Sequence, residues 1–299
     1  MLDEITMQRL SLIQYIYESA MEESRKPEPF GLISILKFHD SVELFLDLAC
    51  DKFGIPAKKT QQFRDYWTEL EKHLQNQSLS EKRSMERLND ARVSFKHHGN
   101  LPHVSSIEKF RVNVTDFFEE NTLLIFGIEF SKISMTYLVQ NSFVKTLLDE
   151  ARELMEQGAR GKAIDKIALA FADLMLDYRR SAITQGHRSL FSFGRSVRNL
   201  TSSDVNNNRQ LAEFTQKVAS SIEELRESMG ILSLGLDYQQ YARFKLLTPY
   251  TVLYSGSEHY TVVSPTEAGH APSLEHCQLC FDFVVSSAIR IQSTDLEVG

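Results

Sequence analysis

Residues 30–53 read FGLISILKFHDSVELFLDLACDKF and predict a strongly apolar helix. Their apolar side chains recur at intervals of three and four residues, which is the spacing of one helix face. Gly54 and Pro56 follow at once and end the pattern, because both residue types interrupt helices. A helix this apolar is typical of the interior of a helical bundle.

The same kind of pattern occurs along most of the chain. Amphipathic or apolar periodicity predicts further helices over residues 3–25, 58–76, 80–98, 105–118, 143–158, 161–184, 209–229 and 273–293. The apolar segment Leu123–Val139 fits a buried helix or a strand. Only Leu246–Tyr254 and His259–Val263, rich in Thr, Tyr and Val, predict strands, which would pair as a β-hairpin.

The predicted fold class is therefore mainly α, in two parts. An N-terminal helical bundle covers residues 1–140. A second helical region covers residues 141–299 and carries the β-hairpin, at about 246–263, and a closing helix. With 299 residues, the chain is long enough for two domains of ordinary size.

The composition is that of an ordinary globular protein, with 42% hydrophobic and 24% charged residues. Three cysteines are too few for a disulfide framework, so we expect a reducing, cytoplasmic location. No run approaches the roughly 18 apolar residues of a membrane span. The acidic start Met1-Leu2-Asp3-Glu4 is unlike a signal peptide, and we expect no membrane association.

The formal charge of −7 argues against a protein that coats nucleic acid through its overall charge. A small site that binds one or two phosphates is still compatible with that net charge. Around residues 81–111 the balance is reversed, with more Lys and Arg than Asp and Glu. A solvated helix face with ion pairs four residues apart would explain this equally well.

Residues 91–103 read ARVSFKHHGNLPH and contain the clearest candidate for chemistry. Arg92 is followed by His97 and His98, and Gly99 then ends the helix. A guanidinium binds phosphate oxygens bidentately, and an imidazole can carry a proton near neutral pH. On a regular helix, Arg92 and His97 lie roughly 140° apart. They can meet at one phosphate only if the helix ends near His97 or a second copy supplies one of them. Residues 99–102, GNLP, supply the first condition, and the second requires a dimer.

This layout resembles the HEPN superfamily of small helical bundles, many of which are ribonucleases. The hallmark of that family is an Arg, then four to six residues, then a His, at the end of a late bundle helix. Arg92 precedes His97 by four intervening residues and His98 by five. Residues 37–46, KFHDSVELFL, are similar to the early helix of the family, with Glu43 as its acidic residue. The resemblance covers residues 27–140.

The resemblance implies cleavage of RNA by attack of its own 2′-hydroxyl, with no metal or other cofactor. His97, or His98, would be the general acid or base, and Arg92 would stabilise the pentacovalent phosphate. The substrate-binding residues would be Lys96, Glu43 and Asn100. Family members commonly act as homodimers, and such domains often serve in bacterial toxin or antiphage systems.

Two alternatives are open at this point. Arg92 could form a salt bridge within the bundle while His97 or His98 caps its own helix. Val93 stands where many active members carry Asn, which favours a non-catalytic helical scaffold whose C-terminal half binds a protein partner.

Other motifs are weaker. The Cys277-x2-Cys280 pair, beside His276 and with His270 upstream, lacks a second pair, so it predicts buried, reduced thiols instead of zinc ligands. Gly158–Lys162 predicts a turn between two helices.

Two further clusters carry charge. The aspartates Asp165, Asp173 and Asp177 predict a solvated, salt-bridged helix face. A basic segment over 186–198, with Phe191 and Phe193 between its charges, suits either single-stranded RNA or a connection between the two halves.

Overall fold

The computed structural model describes residues 2–56, 62–74, 77–184, 209–263 and 272–292. Within these ranges the chain is mainly α-helical, with ten α-helices and one two-stranded hairpin, which confirms the predicted fold class. The chain folds as two compact units, Met1–Leu138 and Val139–Gly299.

Unit 1 is a bundle built around one central helix. Its helices are α1 (Glu4–Glu23), α2 (Ser34–Lys52), α3 (Phe63–Glu71), α4 (Lys82–His98) and α5 (Val104–Phe126). Three short 3-10 turns complete it, at Phe30–Ile33, Phe130–Lys132 and Met135–Leu138. Helix α2 is the apolar segment predicted from residues 30–53, and it packs against α1, α3, α4 and α5. It therefore occupies the centre of the bundle.

Aromatic rings fill the core of unit 1. The ring of Phe45, on α2, meets those of Phe117 and Phe118 edge to face, with centroids 5.3 and 5.6 Å apart. Trp67 of α3 approaches Phe117 at 5.8 Å, and all four side chains are fully buried. Edge-to-face aromatic pairs add specific geometry to ordinary apolar burial, so they define how α2, α3 and α5 pack.

The segment Leu123–Val139, which fitted helix or strand, forms neither throughout. Helix α5 continues to Phe126 and ends at Gly127, which has a φ of +71°. Two 3-10 turns then follow, so the apolar residues of this segment belong to a helix end and to turns that pack on the bundle. The positive φ explains why a glycine stands at this helix end.

Unit 2 is also helical. Its helices are α6 (Ser142–Glu156), α7 (Arg160–Thr184), α8 (Arg209–Ser233), α9 (Tyr238–Leu247) and α10 (Leu274–Gln292). Helix α7 packs against α6 and α10, and the rings of Phe171, Phe244 and Phe283 meet within 4.9–5.3 Å. Within the described ranges, no helix has the length and apolar character that crossing a bilayer requires.

The predicted hairpin is present but shorter than expected. Its strands, β1 (Thr251–Val252) and β2 (Thr261–Val262), are antiparallel and pair Thr251 with Val262. The prediction began the first strand at Leu246, which instead belongs to α9. Asp237 caps α9 by accepting hydrogen bonds from two backbone amides, so this segment starts as a helix before the hairpin begins.

Candidate functional site

Helix α4 ends in a glycine-stabilised cap directly after the predicted motif. Gly99 has a φ of +69°, and its amide donates to the carbonyl of Phe95 at 3.1 Å. Asn100 continues the cap, because its side-chain amide donates to Ser94 Oγ at 3.0 Å. The side chain of Asn100, predicted to bind substrate, thus makes a local contact with the helix it follows.

The last turn of α4 presents its cationic side chains to solvent. Lys96, His97 and His98 are all exposed. The carbonyl end of a helix carries partial negative charge, which favours cations at this position. Both imidazoles are therefore accessible for proton transfer.

Arg92 lies closer to the core than the histidines do. It follows fully buried Leu88 by one turn, and its side chain is half-buried. Its Nε atom is buried without a hydrogen-bond partner, and within the described ranges no carboxylate forms an ion pair with it. The salt bridge considered as an alternative is not formed there, which leaves this guanidinium available to an anion.

The helix is regular through His98, and this separates the two halves of the motif. With about 100° per residue, Arg92 and His97 leave α4 roughly 140° apart. Helix α4 ends one residue after His97, so the helix end that a shared site would need is present. A second copy of the chain would be another way to bring the two side chains together.

Glu43 belongs to a different cluster, on α2. The imidazole of His39 is 2% exposed, and its Nδ1 lies 3.5 Å from Asp40 Oδ1 and 3.7 Å from Glu43 Oε2. Its Nε2 lies 3.1 Å from Asn89 Oδ1 on α4, and the ring packs against Phe63 with centroids 4.9 Å apart. Glu43 is thus the neighbour of a buried histidine.

Sequence reasoning missed His39 and Asn89. The available signal was a histidine within the apolar pattern of residues 30–53, between Phe38 and Val42, with an acid four residues later. Its contact with Asn89 links α2 to α4 one turn before Arg92. Among the described residues, no hydrogen bond or ion pair joins Glu43 to Arg92, His97 or Asn100.

The carboxylates of α2 face an open groove of about 630 Å³. Its lining includes Asp40, Glu43 and Asp47 from α2, with Tyr15 from α1 and Tyr66 from α3. Burial, reinforced by Asp47 and Glu43, raises the pKa of Tyr66 to about 12. Because Asp40, Glu43 and Asp47 all belong to α2, this helix gives the groove an acidic floor.

One cation also lines this groove, but its ammonium is directed elsewhere. Lys37 Nζ donates to Ser19 Oγ at 2.8 Å and to Glu23 Oε2 at 3.2 Å. The positive charge of Lys37 is thus held by α1, and it does not form an ion pair with Asp40 or Glu43.

The cysteines of unit 2 are buried free thiols, as predicted. Burial raises the pKa of Cys280 to about 12. Neither Cys277 nor Cys280 belongs to a group of potential metal ligands within the described ranges. His270, considered with this pair, lies outside the described residues, and so do the basic segment 186–198 and its phenylalanines.

The prediction of a solvated aspartate face on α7 is wrong for Asp173. Its side chain is 5% exposed, and Oδ1 lies 3.2 Å from Nδ1 of His259, which precedes β2. Phe143 of α6 stacks on the His259 ring with centroids 3.8 Å apart. The reason is tertiary packing, because the hairpin covers this part of α7. Asp177, one turn later, accepts a hydrogen bond from Asn141.

Comparison of the chain with protein-family models, with curated proteins and with solved structures finds no match in any of the three.

Proposed function

We propose that unit 1 is a HEPN-like domain that cleaves RNA without a metal ion, as a homodimer. The observation that supports this most is the state of Arg92, a half-buried arginine with no ion-pair partner in the described part of the chain. Structural arginines inside a bundle usually have a carboxylate partner, because burying a charge alone is costly. An arginine kept without one is suited to an anionic ligand such as a phosphate.

The exposed last turn of α4 supplies the second requirement. His97 is exposed, and an imidazole is a side chain that can take the proton from a 2′-hydroxyl or give one to the leaving 5′-oxygen. Arg92 would stabilise the charge that develops on the phosphate. The exposed ammonium of Lys96 would hold a neighbouring phosphate of the strand.

The proposed homodimer would bring Arg92 and His97, which leave α4 roughly 140° apart, to one phosphate. In a two-fold arrangement, the same patch of each copy meets the other, so Arg92 of one copy can face His97 of its partner. Two composite sites would then form from two copies of α4.

The first test is cleavage of a mixed RNA pool in EDTA. We expect cleavage that leaves cyclic phosphate ends and is lost in Arg92→Ala and in His97→Ala. Arg83→Ala is the matched control, since it removes an exposed arginine from the same helix. Equal inactivity of wild type and all variants on every RNA would contradict the proposal, as would equal loss in the control.

A mixing experiment tests the shared site. Arg92→Ala and His97→Ala, each inactive alone, are unfolded and refolded together in equal amounts. Half of the dimers are then mixed, and one of the two sites in each is intact, so activity returns to roughly a quarter of wild type. No recovery, with mixed dimers present, would place Arg92 and His97 of one chain in the same site.

The second candidate is an interaction scaffold, and one feature of unit 2 favours it. Helix α8 exposes large apolar side chains at helical spacing, among them Phe214 (64% exposed) and Leu225 (65% exposed). Exposed apolar stripes on a helix are typical of protein-binding surfaces. If RNA cleavage is absent, we expect the exposed apolar face of α8 to bind a protein partner.

A further inference from the structure

We infer that His39, Asp40 and Glu43 form a binding site for one divalent transition-metal ion, with Zn²⁺ as the best fit. This site is independent of the proposed RNA cleavage. It lies on α2, at the floor of the groove between α1 and α3.

The first step is the hydrogen-bonding state of His39. An amide oxygen can only accept, so the contact of 3.1 Å with Asn89 Oδ1 requires Nε2 to carry the proton. In the neutral ring, Nδ1 is then a bare lone pair. This atom is buried and has no hydrogen-bond partner.

The second step is what Nδ1 faces. Two carboxylate oxygens lie close to it, Asp40 Oδ1 at 3.5 Å and Glu43 Oε2 at 3.7 Å. Ionised carboxylates are acceptors only, as is the Nδ1 lone pair. With the ring neutral, the three ligand atoms are all acceptors and lie within 4.8 Å of one another, which is a favourable position for a cation.

The third step is the spacing of these atoms. For metal–ligand bonds of about 2.05 Å in tetrahedral geometry, neighbouring ligand atoms lie about 3.4 Å apart. The two distances from Nδ1 are close to that value. Residues four apart lie on the same side of a helix, so His39 and Glu43 can hold one ion without any change in the backbone.

The surroundings favour a transition metal over Mg²⁺ or Ca²⁺. Imidazole nitrogen suits Zn²⁺, whereas the other two ions prefer oxygen ligands. Asn89 fixes the imidazole from behind by accepting its Nε2 proton, which is the usual support of a metal-binding histidine. Side-chain exposures of 54% for Asp40 and 40% for Glu43 leave the remaining positions of the ion open to water from the groove.

The test is titration of the reduced, EDTA-treated and dialysed full chain with Zn²⁺ against a chromophoric chelator. We expect one ion per chain from this site, with affinity reduced at least about tenfold in Asp40→Asn and in Glu43→Gln. Both side chains are substantially exposed, so these variants should fold as wild type does, and circular dichroism checks this. Mg²⁺ and Ca²⁺ should not compete at equal concentration.

Two controls separate this site from others. Asp47→Asn removes a carboxylate from the same groove, one turn beyond Glu43, and should leave Zn²⁺ affinity unchanged. The double variant His97→Ala with His98→Ala should also bind as wild type does. Absence of saturable binding, or affinity that is the same in wild type, Asp40→Asn and Glu43→Gln, would overturn the inference. So would an NMR spectrum in which His39 stays doubly protonated at pH 7.5 with Zn²⁺ in excess.

This test and the test of RNA cleavage fail independently. Zn²⁺ binding is measured without RNA, and RNA cleavage is measured in EDTA. Loss of either result therefore leaves the other proposal standing.

Discussion

The imidazole of His39 donates its Nε2 proton to the side-chain oxygen of Asn89 across 3.1 Å. This contact joins the central helix α2 to α4, one turn before Arg92. It lies in a buried environment, since His39 is 2% exposed. This hydrogen bond therefore connects α2, whose carboxylates line the acidic groove, with α4, which carries the Arg–His motif.

Replacing Asn89 by Ala should destabilise unit 1 by about 1–3 kcal/mol, because it leaves a buried N–H without an acceptor. Urea denaturation followed by tryptophan fluorescence measures this, since Trp67 is the only tryptophan and is buried in the same unit. Asp90→Ala is the neighbouring control. It removes only an exposed ion pair with Arg64, worth about 1 kcal/mol or less. Equal losses of unfolding free energy in Asn89→Ala and Asp90→Ala would show that the buried hydrogen bond stabilises unit 1 no more than the exposed ion pair does.

Asn121 joins α5 to the residue pair that precedes α4. We expect its removal to lower the stability of unit 1 more than the removal of Asn89 does. Its oxygen accepts from the Ser80 amide at 3.0 Å, and its nitrogen donates to Ser80 Oγ and to the Phe117 carbonyl. Because the side chain is fully buried, Asn121→Ala should lower the free energy of unfolding by about 2–3 kcal/mol. Ser80→Ala removes one of these bonds and should cost about 1 kcal/mol. A larger loss for Ser80→Ala than for Asn121→Ala would be incompatible with this network.

The stability of unit 2 should depend on pH through Asp173. Burial raises the pKa of this carboxyl above its ordinary value of 3.8. The folded state then holds the proton to higher pH than the unfolded state, so the contribution of Asp173 is greatest below pH 3.8 and falls as pH rises through the raised pKa. In Asp173→Asn, which retains an acceptor for His259, this decline disappears.

Urea unfolding of wild type and Asp173→Asn at several pH values between 3.5 and 7 checks the prediction, with circular dichroism as the signal. The variant should gain stability relative to wild type as pH rises. Asp177→Asn is the matched control on the same helix. A difference between wild type and Asp173→Asn that is constant across the range would contradict the assigned cause.

The three cysteines should be unreactive in the folded protein. Burial raises the pKa of Cys50 to about 11 and that of Cys280 to about 12, and it also raises the pKa of Cys277. The thiolate is the reactive form, so a disulfide reagent at pH 8 should label none of them before unfolding and all three in guanidinium. Rapid labelling of one cysteine in the folded state would identify a thiol that the fold does not protect.

Much of the helical architecture could be predicted because helix formation depends on local residues. Hydrogen bonds in a helix join residues four apart, and apolar spacing shows which face is buried. Residues 30–53 therefore predicted the central helix, and Gly99 predicted the end of α4.

The distant partners of His39 and Asp173, two buried polar side chains, could not be predicted in this way. Nothing near His39 in sequence indicates that Asn89 approaches it, because fifty residues separate the two. Asp173 looked like a solvated charge until His259 and Phe143 covered it from segments distant in the chain.

The sequence by itself determined the mainly α fold class, the positions of most helices and the Arg–His motif at the end of one of them. Only the tertiary structure decided which polar groups are buried, where the two short strands pair, and that Arg92 has no carboxylate partner in the described part of the chain. The physical reason is that helices are stabilised within a segment, whereas burial and side-chain pairing depend on segments that meet only after folding.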